Sequence, residues 1–361
     1  MKRFWFKLIV FILPFAIVMT PAVGILLSSG EFVSYRAMIA RQIQNSDIVY
    51  GPAFSNPVLS YKLESTLLRK PAVLILGTSR VMEIRSAAFL APDKVYNAGG
   101  GVALLWHYKK FLDKIPEAQQ PELILAGLDP WEFNDNWEPR LFETRYDIYK
   151  PPTDDALRLI SQSYLPIMKS WRQGRFTVSE AAAWTSQTER VGLAARVDGT
   201  GFRSDGSHIN GTLPGSASTR IADSLARIRD GNNRFEYGHA VSETRINILR
   251  EFLTSCQARK IHVVAFLPPF ADEVVNAMKA RESDYVHVFE LYSKLKPIFD
   301  EYGFTLIDCT QLGDFGALPD EIEDGFHGNE KAYWRIVKKL SESDLNLRKW
   351  IALEKVRQAI E

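Results

Sequence analysis

A serine in the first quarter of the chain and an acid–histidine pair near its end are the residues whose types and spacing suggest chemistry. Ser79 follows the apolar run 73–76, and Asp324 and His327 lie three positions apart shortly before a helical pattern. A serine hydroxyl is a weak nucleophile at neutral pH unless a base takes its proton, and the base works best when a carboxylate orients it. The chain therefore contains a nucleophile, a base and an orienting acid.

Strand and helix patterns alternate after residue 70, and these are the elements that must position the three residues. Helical spacing of apolar residues occurs in several stretches, among them 102–114, 244–259, 286–302 and 329–340. Short aliphatic runs predict strands covered on both faces, at 72–76, 95–97, 123–128, 261–267 and 304–307. The alternation predicts an α/β fold, a flavodoxin-like three-layer sandwich with a five-stranded parallel sheet.

Polar residues and glycines follow four of these strands. Ser79 follows the first strand, Gly99–Gly101 the second and Asp129 the third, and the Asp324–His327 segment comes after the fifth. The carboxyl ends of parallel strands meet at one edge of a sheet, where such folds place their working residues. We therefore expect all four groups to form a single site.

These blocks together resemble the SGNH/GDSL hydrolase family. The matching segments are Gly77-Thr78-Ser79, the glycine cluster, Gly-x-Asp at 127–129 and Asp-x-x-His at 324–327, and the resemblance spans roughly residues 70–340. An apolar amino-terminal segment followed by such a domain is similar to the envelope branch of that family. That branch includes the alginate O-acetylation proteins and the teichoic-acid D-alanylation protein, which act with membrane-bound O-acyltransferases.

The resemblance implies a role for each matching residue. Ser79 is the expected nucleophile, His327 the general base and then the acid, and Asp324 the group that holds the imidazole tautomer. The oxyanion is expected to be bound by the backbone N–H of Ser79 and by a glycine N–H, for which Gly100 is the choice. No metal or nucleotide cofactor is implied, and the other five histidines lack metal-ligand spacing.

Two positions depart from the family pattern. Asp129 stands where the family has an asparagine that donates to the oxyanion, and an ionised carboxylate has no hydrogen to donate. Either this donor is missing, or Asn134 or Asn136 replaces it, or Asp129 binds a sugar hydroxyl instead. Arg80, in place of an apolar residue, either pairs with Asp129 or grips an anionic substrate. Trp131 either stacks on a sugar ring or packs in the core.

The amino terminus has the pattern of a membrane anchor. Lys2, Arg3 and Lys7 precede the segment Leu8–Leu27, which has no charged residue. About 20 apolar residues cross a bilayer as a helix, and basic residues before the span place the rest of the chain outside the cytoplasm. A cleaved signal peptide, cut near Ala22-Val23-Gly24, is the alternative. We expect an uncleaved single-pass anchor, with the domain on the periplasmic side.

The remaining boundaries follow from composition and length. The net charge of +1, without a basic block, argues against nucleic acid as a partner. Cys256 and Cys309 have no redox or zinc spacing, which leaves a disulfide or two buried thiols. The stretch after residue 129 is too long for an ordinary connection. The predicted parts are an anchor (1–30), a stalk (31–70), the first part of the domain (71–129), a mainly helical or irregular cap insertion (130–241), the second part of the domain (242–343) and a carboxyl-terminal helix (344–361).

These expectations combine into one function and two alternatives. The chain is expected to be a membrane-anchored serine acyl-esterase or O-acyltransferase acting on an envelope polysaccharide. The first alternative is a catalytically weak or inactive scaffold partner of a membrane-bound O-acyltransferase. The second is a secreted, lipase-like esterase. The residues do not separate hydrolysis from transfer, because water exclusion from the pocket sets the acceptor.

Overall fold

The computed structural model describes residues 2–53, 58–138, 156–184, 189–211 and 216–361. Contacts divide the chain into two compact units. The larger unit contains the described residues within 58–149, 205–207 and 214–361, and the smaller unit contains those within 1–57, 150–204 and 208–213.

The described strands are β1 (Val49–Tyr50), β2 (Val73–Leu76), β3 (Val95–Asn97), β4 (Leu123–Gly127), β5 (Arg190–Val191), β6 (Gly201–Phe202), β7 (His208–Ile209), β8 (His262–Leu267) and β9 (Thr305–Asp308). The described α-helices are α1 (Lys2–Ser29), α2 (Tyr35–Gln44), α3 (Val58–Arg69), α4 (Leu105–Asp113), α5 (Ala156–Arg172), α6 (Val178–Ala183), α7 (Leu193–Val197), α8 (Ala217–Asp230), α9 (Glu243–Ala258), α10 (Asp272–Lys279), α11 (Val286–Phe289), α12 (Leu291–Glu301), α13 (Glu330–Ser343), α14 (Leu345–Arg348) and α15 (Leu353–Ile360).

The larger unit is built on an all-parallel five-stranded sheet. Its strand order is β3-β2-β4-β8-β9. At the carboxyl end of the sheet Leu76 lies opposite Ala126, and Leu267 lies opposite Asp308. The five strands lie within one residue of their predicted bounds, and the predicted α/β, flavodoxin-like class is confirmed.

Two apolar layers cover the two faces of this sheet. Val73 and Ile75 belong to one layer, whereas Leu74 and Leu76 belong to the other, and none of the four is exposed. Successive strand residues point to opposite faces, so a strand covered on both sides is aliphatic at every position. Cys309 lies in the first layer and Cys256 in the second, and both are buried free thiols.

Helix α13 illustrates how the helices cover the sheet. Its buried residues include Tyr333, Ile336, Val337 and Leu340, which share one face of a helix of 3.6 residues per turn. The side chain of Asn329 caps its amino terminus by accepting the N–H of Ala332 at 3.1 Å. Because α13 begins three residues after His327, this cap also fixes where the histidine segment ends.

The smaller unit contains a four-stranded sheet of two-residue strands in the order β5-β1-β6-β7. Ala22 and Leu26 of α1 pack in its core with Ile167 of α5 and Leu193 of α7. Oε1 of Glu31 accepts backbone N–H groups from Ala53, at 2.7 Å, and from Leu193, at 2.6 Å. Three segments far apart in the sequence are thus joined within this unit.

Three predicted segments are corrected. The stalk at 31–70 is folded, because α2 and β1 belong to the smaller unit and α3 to the larger one. The insertion at 130–241 is divided, since its described residues within 150–204 and 208–213 belong to the smaller unit and its other described residues to the larger one. The carboxyl-terminal helix at 344–361 consists of two helices, α14 and α15.

The apolar amino-terminal segment is helical but bent. Among the described residues no single helix is long and apolar enough to cross a membrane. The pair Arg3–Pro14 and Met19–Ser29, bent by 62°, passes that test together by length and composition. The helix contains Pro14 and Pro21, and proline bends a helix because it lacks the N–H and clashes with the preceding turn. The membrane anchor at 1–30 remains a prediction.

Candidate active site

Ser79 begins a single 3₁₀ turn at the carboxyl end of β2. The side chain of Thr78 caps this turn by accepting the N–H of Arg80 at 3.3 Å. A Cβ on Gly77 would lie 2.9 Å from both methyl groups of Val81, so only glycine lets the chain turn this closely. The strand end and the tight turn together hold Ser79 half-buried at the sheet edge.

The structure brings the three predicted catalytic residues together. The Oγ atom of Ser79 lies 2.9 Å from Nε2 of His327, and Nδ1 of His327 lies 2.7 Å from Oδ2 of Asp324. When the Nδ1 hydrogen donates to Asp324, Nε2 has a free lone pair that accepts the serine hydroxyl. Such an arrangement can move the proton of Ser79 to His327 and stabilise the imidazolium that forms.

The second oxygen of Asp324 holds the histidine segment in shape. Oδ1 accepts the backbone N–H groups of Phe326, at 3.2 Å, and His327, at 2.9 Å. Burial acts to raise the pKa of Asp324, but the hydrogen bond to His327, the electrostatic interaction with it and the two backbone N–H groups outweigh burial and lower the pKa to about 2. Asp324 is therefore ionised throughout the neutral range.

Helix α8 supports the same segment from outside. Oγ of Ser224 donates to the carbonyl of Asp324 at 2.9 Å, and Nε of Arg220 donates to the carbonyl of Glu323 at 2.7 Å. Gly325 has a φ of +103°, and a Cβ there would lie 2.8 Å from Oγ of Ser224. The turn between Asp324 and His327 thus requires glycine for both its conformation and its contacts.

The glycine cluster does not supply the predicted oxyanion donor. The N–H of Gly100 donates to the carbonyls of Gly77, at 2.8 Å, and Thr78, at 3.1 Å. The N–H groups of Gly99 and Gly101 are also bonded, to Oδ1 of Asn97 and the carbonyl of Ala98 at 2.7 Å each. Gly100 is therefore corrected to a residue that ties this turn to the end of β2.

The Ser79 N–H, the other predicted oxyanion donor, has no acceptor among the described residues. It lies at the start of the 3₁₀ turn, where the first N–H groups have no partner within the helix. This amide is therefore the backbone donor that remains for a developing negative charge beside the serine.

Arg80 and Asp129 form a buried ion pair beneath the serine. Both residues are 1% exposed, and Nη1 of Arg80 lies 3.1 Å from Oδ1 of Asp129. Oδ2 of Asp129 accepts the hydroxyl of Thr78 at 2.6 Å. Of the two alternatives for Arg80, the structure has the pairing with Asp129. Gripping an anionic substrate, and binding of a sugar hydroxyl by Asp129, do not fit side chains buried to this extent.

Trp131 and Asn134 are also buried, at 3% and 2% exposed. Trp131 packs edge-to-face against Phe326, with ring centroids 6.1 Å apart. The amide of Asn134 donates to the carbonyl of Glu236 at 2.7 Å, and its oxygen accepts the N–H of Asn136 at 3.0 Å. The predicted substrate-binding roles of both residues are corrected, because Trp131 belongs to the core and Asn134 bonds neighbouring backbone.

Asn97 is a site residue that the sequence analysis missed. It is fully buried, and its amide nitrogen donates to the carbonyls of Val81 and Ile84 at 2.8 Å each. Its oxygen accepts the N–H of Gly99. Asn97 thus joins the segment after Ser79 to the end of β3. The available signal was a single amide residue at the end of an apolar strand, two positions before the glycine cluster.

Comparisons of the chain with family models, curated proteins and solved structures give no match. The resemblance to SGNH/GDSL hydrolases therefore depends on the motifs described above and remains a prediction. The geometry of Ser79, His327 and Asp324 is independent of that resemblance.

Proposed function

We propose that this chain is a serine acyl-esterase or O-acyltransferase of SGNH type, anchored in the cytoplasmic membrane, that acts on an envelope polysaccharide outside the cytoplasm. The observation that carries the proposal is the continuous hydrogen-bonded path from Ser79 through His327 to Asp324, with links of 2.9 and 2.7 Å. The envelope location and the glycan come from the resemblance and from the uncharged segment at 8–27.

The first half-reaction makes an acyl-enzyme. Oγ of Ser79 attacks the acyl carbonyl while Nε2 of His327 takes its proton. The N–H of Ser79 donates to the oxyanion of the tetrahedral intermediate. His327 then returns the proton to the leaving alcohol oxygen, and the bond between that oxygen and the acyl carbon breaks.

The second half-reaction decides between hydrolysis and transfer. His327 removes a proton from water or from a sugar hydroxyl, whose oxygen attacks the acyl carbon. The bond to Ser79 Oγ breaks, and His327 returns the proton to that oxygen. Because the protein groups are the same for both acceptors, the outcome depends on whether the glycan excludes water from the acyl-enzyme.

A second candidate is a scaffold partner of a membrane-bound O-acyltransferase. The observation that favours it is the engagement of all three glycine N–H groups, together with Asp129 where the family has an asparagine donor. Loss of one oxyanion donor costs about 10²–10³ in turnover in enzymes of this type. A site with fewer donors suits weak catalysis or a binding role.

Trapping of the acyl-enzyme tests the proposal. The full chain in detergent is incubated with a generic acetyl ester, quenched in acid and digested, and the peptide containing Ser79 is examined by mass spectrometry. We expect an acetyl group on Ser79 that decays when the ester is removed, with faster decay in the presence of an acceptor oligosaccharide for a transferase. An unmodified Ser79 together with no ester consumption would favour the scaffold.

The anchor is a separate prediction, which the mature amino terminus checks. We expect the native protein to retain residues 1–30, to sediment with membranes and to resist extraction at high pH, because the segment 8–27 lacks charge. Intact-mass measurement and carbonate extraction test this. A mature chain that begins beyond residue 22 and is found in the soluble fraction would rule the anchor out and favour secretion.

A further inference from the structure

We propose that Arg80 is a positioning residue for the reaction, and that its guanidinium holds the serine turn and the histidine segment at reacting distance. This inference deepens the proposed function and depends on it. Arg80 directly follows Ser79 in the sequence, and its side chain is fully buried. This positioning role is distinct from neutralising the charge of Asp129, because neutralisation needs only one of the contacts that Arg80 makes.

The guanidinium of Arg80 contacts three other segments of the larger unit. Nε donates to the carbonyl of Phe326 at 2.9 Å, and Phe326 directly precedes His327. Nη1 pairs with Asp129 at the end of β4, and Nη2 donates to the carbonyl of Pro269, just after β8. One planar group therefore connects the end of β2 with the ends of β4 and β8 and with the histidine segment.

Aromatic rings hold the plane of this group. The guanidinium carbon lies 4.3 Å from the ring centroid of Phe270 and 5.2 Å from that of Trp131. Guanidinium groups are attracted to aromatic faces, and the effect strengthens when water is excluded. Hydrogen bonds thus restrain the guanidinium within its own plane, and the aromatic rings restrain its movement out of that plane.

The backbone of Arg80 is held as well. Its carbonyl accepts the hydroxyl of Tyr333, which lies in α13, the helix that begins shortly after His327. Its N–H donates to the Thr78 hydroxyl oxygen at 3.3 Å. Both the side chain and the backbone of the residue beside Ser79 are therefore tied to the segment that carries His327.

Arginine is required for this role because it presents several N–H donors in one rigid plane, whereas lysine offers a single ammonium on a flexible stem. Arg80→Lys keeps a positive charge for Asp129 but cannot reach the carbonyls of Phe326 and Pro269 at the same time. The substitution therefore separates charge compensation from positioning. Removal of the charge would leave Asp129 buried without its partner and would destabilise the fold.

The test compares Arg80→Lys with wild type and with Arg259→Lys. Arg259 is a matched control, since its guanidinium also bonds a carbonyl, that of Leu112 at 2.9 Å, and a carboxylate, that of Asp113, away from the Ser79 and His327 segments. A fluorophosphonate that phosphonylates activated serines is titrated against each full-chain protein. The fraction of molecules labelled and the labelling rate per labelled site are measured separately, together with kcat and KM for a soluble acetyl ester.

For Arg80→Lys we expect the rate per labelled site and kcat to fall about 10- to 100-fold, because small misplacements of reacting groups cost this much. KM should stay within about twofold, and the fraction labelled should be unchanged, since substrate binding does not use Arg80. Arg259→Lys should match wild type in every measurement. Tyr333→Phe, which removes only the bond to the Arg80 carbonyl, should lower the rate per site to a smaller extent.

A purely structural role would give a different result. If Arg80→Lys and Tyr333→Phe lose only thermal stability or labelled fraction, with the rate per labelled site unchanged, the positioning role is wrong while the proposed function stands. If Arg80→Lys fails to fold, Tyr333→Phe alone decides between these outcomes. If wild type is neither labelled at Ser79 nor active on the ester, the proposed function fails and this inference fails with it.

Discussion

Replacement of Ser79 by alanine is expected to lower ester turnover by a factor of at least ~10³ while the protein stays folded. The substitution removes the atom that forms the acyl-enzyme, so residual turnover comes from water and the remaining site groups. The hydroxyl of Ser79 bonds His327 at the half-buried edge of the sheet, outside the apolar layers. Its loss should therefore have little effect on the free energy of unfolding.

Turnover of a generic acetyl ester, with thermal unfolding measured on the same samples, checks this result. Ser293→Ala is a suitable control, because that exposed serine of α12 donates to the carbonyl of Glu290, the residue before the helix, away from the site. It should retain wild-type turnover. Substantial and equal turnover in wild type and Ser79→Ala would exclude Ser79 as the nucleophile, whereas equal and negligible turnover would favour the scaffold candidate.

Asp324→Asn is expected to have the second large effect, a fall in turnover of ~10⁴. The asparagine oxygen can still accept the backbone N–H groups of Phe326 and His327, which leaves its NH₂ facing Nδ1 of His327. Nδ1 must then accept, so the ring hydrogen moves to Nε2. In that tautomer Nε2 cannot take the proton of Ser79.

Activity assays and nitrogen-15 NMR of the imidazole check this prediction, the latter by reporting which ring nitrogen carries hydrogen. Asp308→Asn is the matched control, because Asp308, the last residue of β9, also accepts a backbone N–H from a nearby residue, that of Thr310, together with the Thr310 hydroxyl. It should remain active. Wild-type turnover in Asp324→Asn, with the hydrogen still on Nδ1, would show that the acid does not orient the histidine.

Asp324→Asn should also change how the free energy of unfolding depends on pH in acid. The pKa of Asp324 is about 2 in the folded protein, against an ordinary value of 3.8. A carboxyl with a depressed pKa stabilises the fold above its unfolded pKa, and that contribution is lost as the pH falls through the folded pKa. The stability difference between wild type and Asp324→Asn should therefore shrink between about pH 4 and pH 2, as measured by denaturant unfolding.

The large sheet and the convergence of the three site residues were predictable because both follow from local patterns. Val73–Leu76 is aliphatic at every position since its residues alternate between two apolar layers. Once the strands are parallel, Ser79 lies at the edge where β9 leads into the segment that carries His327, whatever their separation in the sequence. Candidate catalytic side chains at that edge can then be chosen from the sequence by their residue type.

The smaller unit was not predictable for the opposite reason. Strands of two residues, such as β1 and β5, are too short to show an alternating pattern. The unit is held by contacts between remote segments, for example Glu31 with Leu193, which no local window contains. Without a detectable strand pattern, the segment around β1 was therefore predicted to be a stalk although it is folded.

Within the site, the contacts of each group depend on the direction in which its side chain or N–H points, and the sequence does not determine that direction. The sequence shows a charged residue directly after Ser79. It does not show which groups Arg80 bonds, because its acceptors include the backbone carbonyls of Phe326 and Pro269, and every residue type has such a carbonyl. The glycine cluster was also visible. The N–H of Gly100 nevertheless points back to Gly77 and Thr78, a consequence of backbone angles that residue type does not determine.

The separation of Ser79 and His327 by 248 positions has a consequence for biosynthesis. Ser79 follows β2, whereas His327 follows β9, which lies at the far edge of the sheet and is the last of its strands to leave the ribosome. A nascent chain that has not yet reached His327 presents a serine without its base. We therefore expect prematurely terminated products to be inert towards esters, because the proposed nucleophile meets its proposed base only when synthesis is nearly complete.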